Sequence, residues 1–191
     1  MANQDAPFGL RPVKSSTSSQ RQNRYRIASG YNTNIFQGDL VTVATSGTVV
    51  RVAAGDNALC LGVFNGCRYV DPNGNIIFSN HWPADATGTD IFCNVIDDPS
   101  AFFEIQANAA FPVTDLFGNF DIVDNNPVGS TVSGNSNMEI AVSTGNTTAA
   151  LALKAMDISQ DPENSDTTTA NTNVIVKINN HLFSAGTVGL A

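Results

Sequence analysis

The stretch Arg68-Tyr69-Val70-Asp71-Pro72-Asn73-Gly74-Asn75-Ile76-Ile77-Phe78 decides the fold class. Pro72 fixes φ at the second position of a tight turn, and Gly74 tolerates the backbone conformation at the exit from that turn. Apolar, β-branched and aromatic residues flank the turn on both sides. The stretch therefore predicts a β-hairpin.

Further short segments of strand character lie on both sides of this hairpin. Each is rich in residues that favour strands and is bounded by Gly, Pro, Asn or Asp. The segment 151–158 also fits a short helix, since Ala and Leu favour helices. A short helix is expected at 114–117 and a projecting polar loop at 161–173. The predicted strands cover 40–43, 48–52, 59–64, 68–70, 76–78, 90–95, 101–106, 129–132, 139–142, 151–158 and 174–179.

The composition supports the same fold class. The 191 residues include 22 Asn, 17 Thr and 15 Gly but only 3 Glu and 3 Lys, so turn formers greatly outnumber good helix formers. A hydrophobic content of 42% is enough for one sizeable core. The sequence therefore predicts an all-β body, either a β-barrel or a jelly-roll-like β-sandwich, and leaves the choice between them open.

Charge divides the chain into two unequal parts. Residues 1–26 contain five basic residues and one acidic residue, a balance of +4, whereas the rest of the chain carries 4 basic and 16 acidic residues, a balance of −12. The stretch 15–22 is polar and of low complexity. We therefore expect an extended basic N-terminal arm at 1–30 and a β-rich body at 31–191.

A basic arm on an acidic body is suited to binding a separate partner. The alternative is a tail that only increases solubility, but apolar residues such as Phe8 and Leu10 are not needed for that purpose. The expected contact residues of the arm combine these apolar anchors with its cations: Phe8, Leu10, Arg11, Lys14, Arg21, Arg24 and Arg26.

Signals for catalysis or metal binding are weak. Three cysteines (Cys60, Cys67 and Cys93) are expected to be free thiols, and neither His81 nor His181 belongs to a catalytic motif. Asp97-Asp98-Pro99 is typical of a turn, although a hydrolase using this pair is a formal alternative. Five aspartates offer a remote alternative as a Ca²⁺ site: Asp71, Asp85, Asp90, Asp97 and Asp98. We expect no enzymatic activity, no cofactor and no metal.

Binding to other classes of partner is also constrained. An acidic body repels phosphate, so nucleic acid is not expected as a partner. No apolar run approaches the roughly 20 residues needed to cross a bilayer, so no membrane partner is expected. Trp82 is a candidate stacking platform for a glycan in a β-sandwich module. Trp82 and Phe102 are also the candidates for an apolar self-association patch.

Several motifs carry a resemblance along nearly the whole chain. The opening stretch is MANQDAPFGLRPV (1–13). The later motifs are, in order, Gly62-Val63-Phe64 with Arg68-Tyr69-Val70-Asp71-Pro72, Trp82-Pro83, Asp97-Asp98-Pro99, Phe103-Glu104-Ile105-Gln106 and Val176-Lys177-Ile178-Asn179-Asn180-His181. With these motifs the chain resembles a family of capsid decoration, or cement, proteins of tailed bacteriophages, especially those of marine and cyanobacterial phages.

The resemblance implies a non-catalytic virion structural protein. Such a protein is made in the host cytoplasm, binds the outer surface of a HK97-type shell and joins neighbouring capsomers. The implied partners are the major capsid protein and two further copies of the chain, in a homotrimer. In this setting the arm cations are expected to meet acidic grooves of the shell.

Overall fold

Antiparallel strands account for nearly all regular structure in the computed structural model, which describes residues 3–15, 20–124 and 128–190. The predicted all-β body is confirmed. Within the described residues the strands are β1 (Arg11–Ser15), β2 (Gln22–Tyr25), β3 (Ile35–Phe36), β4 (Leu40–Val43), β5 (Val49–Arg51), β6 (Cys60–Val70), β7 (Ile76–Ser79), β8 (His81–Trp82), β9 (Thr89–Ile96), β10 (Ala101–Gln106), β11 (Asn119–Val123), β12 (Glu139–Asn146), β13 (Leu153–Ile158) and β14 (Asn173–Ile178).

The first sheet has the strand order β1-β10-β14-β13-β11-β12. Alternate residues of its central strands point to one side, as the period of two in a strand requires. These inward residues include Phe103 and Ile105 of β10, Val176 of β14 and Leu153 of β13, and all of them are fully buried. Together they form one wall of the main hydrophobic core.

The second sheet has the order β2-β9-β6-β4-β5, and β7 pairs with the C-terminal half of β6. One of its faces contributes Leu40, Cys60, Val63 and Ile96 to the main core, so the two sheets pack against each other there. This packing of two sheets on one shared core is the layered arrangement of a β-sandwich.

The opposite face of the second sheet builds a second hydrophobic core. Leu61, Phe64, Cys93 and Val95 lie in it, and the short β3–β8 pair closes it. The indole of Trp82, in β8, is completely buried in this core. The second sheet is therefore covered on both faces over part of its length.

The hairpin predicted from the sequence is present. The backbone N–H of Asp71 donates to the carbonyl oxygen of Asn75 at 2.9 Å, and the N–H of Gly74 donates to the carbonyl oxygen of Asp71 at 3.0 Å. Gly74 has φ of 86°, a conformation that glycine adopts readily. The hairpin joins β6 to β7.

Most other predicted strands are confirmed, with shifts at their ends. The predictions at 40–43 and 101–106 coincide with β4 and β10, and 151–158 is a strand from Leu153 onward, not a helix. The predicted strand at 129–132 is wrong, because this stretch forms a turn in which Gly134 N–H donates to the carbonyl oxygen of Ser130 at 2.7 Å. The short helix is a single 3₁₀ turn at Val113–Asp115.

The extended arm expected at 1–30 is not confirmed. In its described part, β1 pairs with β10 and β2 pairs with β9, so both strands are edge strands of the two sheets. The side chain of Leu10 is buried in the main core, and that of Ile27 in the second. Residues 1–2 and 16–19 of the predicted arm lie outside the described residues.

The polar loop expected to project at 161–173 is fastened at its base. Asn164 is buried and donates from Nδ2 to the carbonyl oxygens of Gln4 and Asn171. Asn3 donates to the carbonyl oxygen of Asp166 at 2.8 Å. The first described residues of the chain therefore hold this loop against the first sheet.

A buried ionic network ties the second sheet to the end of β11. Arg51 donates from Nε to the carboxylate of Asp39 at 3.1 Å and also pairs with Asp124. Asp39 further accepts hydrogen bonds from the Phe36 N–H and the Ser136 hydroxyl. Burial raises the pKa of Asp39 to about 6, although Arg51 opposes this shift.

Candidate functional site: an unpaired arginine face

One face of the second sheet extends beyond the main core. On β9, Ile96 packs in the main core, so Asn94 and Phe92 point to the same side by the alternation of the strand. Neither of these two residues belongs to a core cluster. Both side chains are half-buried, so this part of the face is partly accessible to a partner.

Three arginines occupy the exposed part of this face. The guanidinium groups of Arg24 and Arg26 lie 5.7 and 5.0 Å from the centroid of the Phe92 ring. Arg68 of β6 lies in register with Phe92 on one side and Phe78 on the other. We refer to Arg24, Arg26, Arg68 and Phe92 as the arginine patch.

The arginine patch keeps its charges available. Within the residues that the structure describes, none of its three arginines forms an ion pair, and the side chains of Arg24 and Arg26 are exposed. The aromatic ring beneath Arg24 and Arg26 restricts their motion and is attracted to their positive charge. An oriented cation on a rigid strand is well suited to binding an acidic surface.

The two cations of β1, Arg11 and Lys14, each contact an aromatic ring of this chain. Arg11 pairs with Glu104 and lies 4.7 Å from the centroid of the Phe8 ring. The Lys14 ammonium lies 5.2 Å from the centroid of the Phe102 ring. Arg11 therefore helps to fasten β1 to the body. Lys14 is exposed, forms no ion pair among the described residues and, like Arg24 and Arg26, remains available to a partner.

Asp97 holds residues 21–25 to the body through its carboxylate. It is fully buried and accepts hydrogen bonds from Arg21 Nε at 3.0 Å, Asn23 Nδ2 at 2.8 Å and the Tyr25 hydroxyl at 2.5 Å. Burial and the bond to Asp97 raise the pKa of Tyr25 to about 12. Arg21 also lies over the Phe183 ring, 5.1 Å from its centroid. The carboxylate of Asp97 thus has a structural role that occupies both of its oxygens.

The neighbouring Asp98 opens the turn between β9 and β10, as its sequence predicts. Its carboxylate accepts from the Ser100 N–H at 2.9 Å and from the Ser15 hydroxyl at 2.7 Å. These hydrogen bonds, against the opposing effect of partial burial, hold the pKa of Asp98 below its usual value. Asp97 and Asp98 therefore point to different partners and do not form an acid–base pair.

The two residues expected at a self-association patch are placed differently. Trp82 is wholly buried, its ring packs edge-on against Tyr69 at 5.2 Å, and its Nε1–H points to the carbonyl oxygen of Tyr31 at 3.4 Å. It is therefore unable to line a surface patch or stack on a glycan in this fold, which corrects both expectations. Phe102 is half-buried beneath Lys14.

The remaining titratable groups include three cysteines and a histidine, all of them buried. The three cysteines are free and buried, and burial raises the pKa of each thiol to about 12. Among the described residues, no group of three or more His, Cys, Asp and Glu side chains is placed to hold a metal ion. His181 is buried, and its Nδ1 accepts from the Phe183 N–H at 3.1 Å.

Sequence reasoning did not single out Arg68 and Phe92, because both lie within strands and far from the basic N-terminal stretch. The signal that was available is the register of the predicted hairpin, which places Arg68 opposite Phe78 on an exposed strand pair. The contact of Arg24 and Arg26 with Phe92 depends on the pairing of β2 with β9, which joins residues some 70 positions apart.

Comparisons with known proteins identify no relative of this chain. No protein-family model, no curated protein and no solved structure matches the chain. In the described residues, no helix has the length and apolar character required to cross a membrane.

Proposed function

We propose that the chain is a virion structural protein that binds the outside of a HK97-type capsid shell and joins neighbouring capsomers. It acts by binding alone, as a homotrimer, and its partner is the major capsid protein. The observation that carries the proposal is the arginine patch, a rigid sheet face with unpaired cations on an otherwise acidic chain.

The chemistry of the patch favours a protein partner. Arginine and aromatic residues are enriched among the residues that dominate protein–protein binding. The net charge of −8 disfavours nucleic acid, whereas a local group of three arginines attracts carboxylates of a shell surface. An acidic body also keeps free copies soluble before they attach.

A rigid patch changes how the N-terminal residues contribute to attachment. Residues in a flexible arm lose conformational entropy when they order on a partner. Arg24 belongs to β2, which is already ordered by its pairing with β9. Attachment through such preformed strands requires less ordering and therefore leaves more of the contact energy as affinity.

The resemblance to phage decoration proteins supports the same function independently of the arginine patch. Its motifs extend from residues 1–13 to residues 176–181 and include the Asp97-Asp98-Pro99 turn that holds the N-terminal segment. A symmetric clamp that contacts several shell subunits at once spreads a large area over the joints between capsomers. Such a role requires contact surfaces and no reaction chemistry.

The direct test is attachment to purified shells that lack the protein. The double variant Arg24→Glu/Arg26→Glu is expected to bind at least about tenfold more weakly, because two attractive contacts become repulsive. The matched control is Lys154→Glu/Lys177→Glu, which makes the same change of charge on a cross-strand pair of the first sheet.

Co-sedimentation of each variant with shells measures the effect at two salt concentrations. Loss of binding in the Arg24/Arg26 variant alone supports the proposal, and weaker binding of the wild-type protein at high salt is expected as well. Equal binding of the two double variants would contradict a role for the arginine patch.

A further inference from the structure

The edge of the second sheet opposite β2 carries an exposed apolar strand. In the half of the sheet that contains β7, the order is β2-β9-β6-β7, and β7 pairs only with β6 among the described strands. Ile76 and Phe78 of β7 point to one side, with 56% and 77% of their surface exposed. An exposed apolar edge strand is a template for contact with another chain.

A second exposed apolar residue lies beside this strand. Val132, at the tip of the turn after Gly129, is 97% exposed, and it lines the same shallow groove as Phe78. Backbone hydrogen bonds within the 130–134 turn and between Ser130 and Asn135 hold Val132 in place. We refer to Ile76, Phe78 and Val132 as the β7 patch.

We propose that the β7 patch is the surface through which copies of this chain associate. The occupant is a second copy, with the patches of neighbouring copies meeting near a rotation axis. This inference rests on the proposed function, from which the homotrimer is taken. The β7 patch takes the place of Trp82 as the candidate surface for self-association, because Trp82 is buried.

Charge is the argument for a second copy of the chain. Each copy carries −8, so copies repel wherever their acidic surfaces approach. The segments 72–80 and 128–137, which contain the β7 patch, have no charged residue. Two copies therefore meet at this patch without bringing their acidic side chains together. Arg68, in register with Phe78, is a cation beside the patch, and burial of large apolar side chains stabilises the contact.

The chemistry of the two patches assigns them to different partners. The arginine patch is cationic and suits an acidic shell, whereas the β7 patch is neutral and apolar. β2 and β7 are separated by three strand spacings, or about 15 Å. Arg24 and Arg26 are thus able to contact the shell at the β2 end of this sheet while β7 meets a neighbouring copy at the other end, and Arg68 lies between the two surfaces.

The test is the oligomeric state of the full chain in solution by sedimentation velocity. The wild-type protein is expected to form a trimer at high micromolar concentration, and Phe78→Asp is expected to be a monomer. Val188→Asp is the control, since Val188 is 69% exposed at a different site, and this variant is expected to remain a trimer. A monomeric wild-type protein, or a trimeric Phe78→Asp variant, would overturn the proposal.

A second variant tests proximity directly. Phe78→Cys places one accessible thiol on the patch, because the three native cysteines are buried. Oxidation is expected to cross-link two copies, whereas Val188→Cys is expected to stay uncross-linked. The absence of cross-linking in Phe78→Cys would count against the patch. The Arg24→Glu/Arg26→Glu variant is expected to remain a trimer, so failure of shell binding and failure of self-association are distinguished.

Discussion

Arg21 donates from Nε to the buried carboxylate of Asp97 at 3.0 Å and from a second nitrogen to the Asp97 carbonyl oxygen at 2.7 Å. The chain passes between the two sheets twice at this point, from the first to the second between β1 and β2 and from the second back to the first between β9 and β10. The ion pair joins the two crossings. Residues that appear from their composition to form a separate arm are thereby built into the body.

Removal of the Asp97 carboxylate is expected to destabilise the fold strongly. Asp97→Ala leaves the buried donors of Asn23 and Tyr25 and the Arg21 guanidinium without their acceptor. The expected loss is about 3 kcal/mol of the free energy of unfolding, measured by urea denaturation. Glu163→Ala, at an exposed position, is the control and is expected to change this value by less than about 0.5 kcal/mol. Similar stability of the two variants would show that Asp97 does not hold residues 21–25 to the body.

Truncation of the N-terminal segment is expected to lower the stability of the body as well as to prevent attachment to the shell. Deletion of residues 1–26 removes two edge strands and the buried side chain of Leu10. The single substitution Leu10→Ala is expected to lower the free energy of unfolding by about 3 kcal/mol, because it leaves a cavity in the main core. Val13→Ala, at a half-exposed site on β1, is the control. A truncated chain with unchanged thermal stability would support a separate arm after all.

The contribution of His181 to stability is expected to fall as the pH drops below about 6.5, whereas Asp39, whose pKa is raised to about 6 in the folded state, acts in the opposite direction. Burial lowers the pKa of His181 in the folded state, even though the nearby Asp97 opposes this effect. The unfolded chain therefore takes up a proton first as the pH falls, and this favours unfolding by up to about 1.4 kcal/mol per pH unit. His181→Asn keeps an acceptor for the Phe183 N–H and is expected to reduce the slope between pH 7 and 5. His81→Asn, at a less buried ring, is expected to reduce it less. An unchanged slope in His181→Asn would refute this assignment.

Trp82 is expected to act on folding and not on recognition of a ligand. Its ring fills the second core, so Trp82→Ala is expected to cost about 3 to 5 kcal/mol of the free energy of unfolding. Trp82→Phe keeps more of the buried apolar surface and is expected to cost less. Denaturation curves of both variants measure the difference. A Trp82→Ala protein of native stability that fails to bind a glycan would reinstate the sugar-binding hypothesis.

Local signals explain which parts of the fold were predictable from the sequence. The β6–β7 hairpin depends on Pro72 and Gly74 within one turn, and β4 and β10 are short apolar runs between breakers, so their sequences are sufficient. β1 and β2 have the sequences RPVKS and QNRY, which lack an apolar face, because edge strands need only partial burial. Their strand character arises from pairing with β10 and β9, some 70 to 90 residues away.

Local sequence likewise predicted part of the candidate site, whereas the rest depends on contacts between residues distant in sequence. The excess of basic residues before residue 27 drew attention to Arg24 and Arg26. It did not separate them from Arg11 and Arg21, because the acidic partners Glu104 and Asp97 are distant in sequence. The prediction for Trp82 was wrong for a related reason, because the sequence around a single tryptophan does not show whether other strands cover its side chain. Three-dimensional pairing decides which charges are satisfied and which remain available.

The measurement that tests the account most directly is the number of copies of this protein per particle, determined by quantitative mass spectrometry against the major shell protein. The particles are purified virions of the tailed-phage type to which the proposed function assigns this chain. The account predicts a ratio near one copy per shell subunit, as expected for a protein that covers the joints between capsomers. Absence from the particles, or only a handful of copies, would contradict the proposed role on the shell.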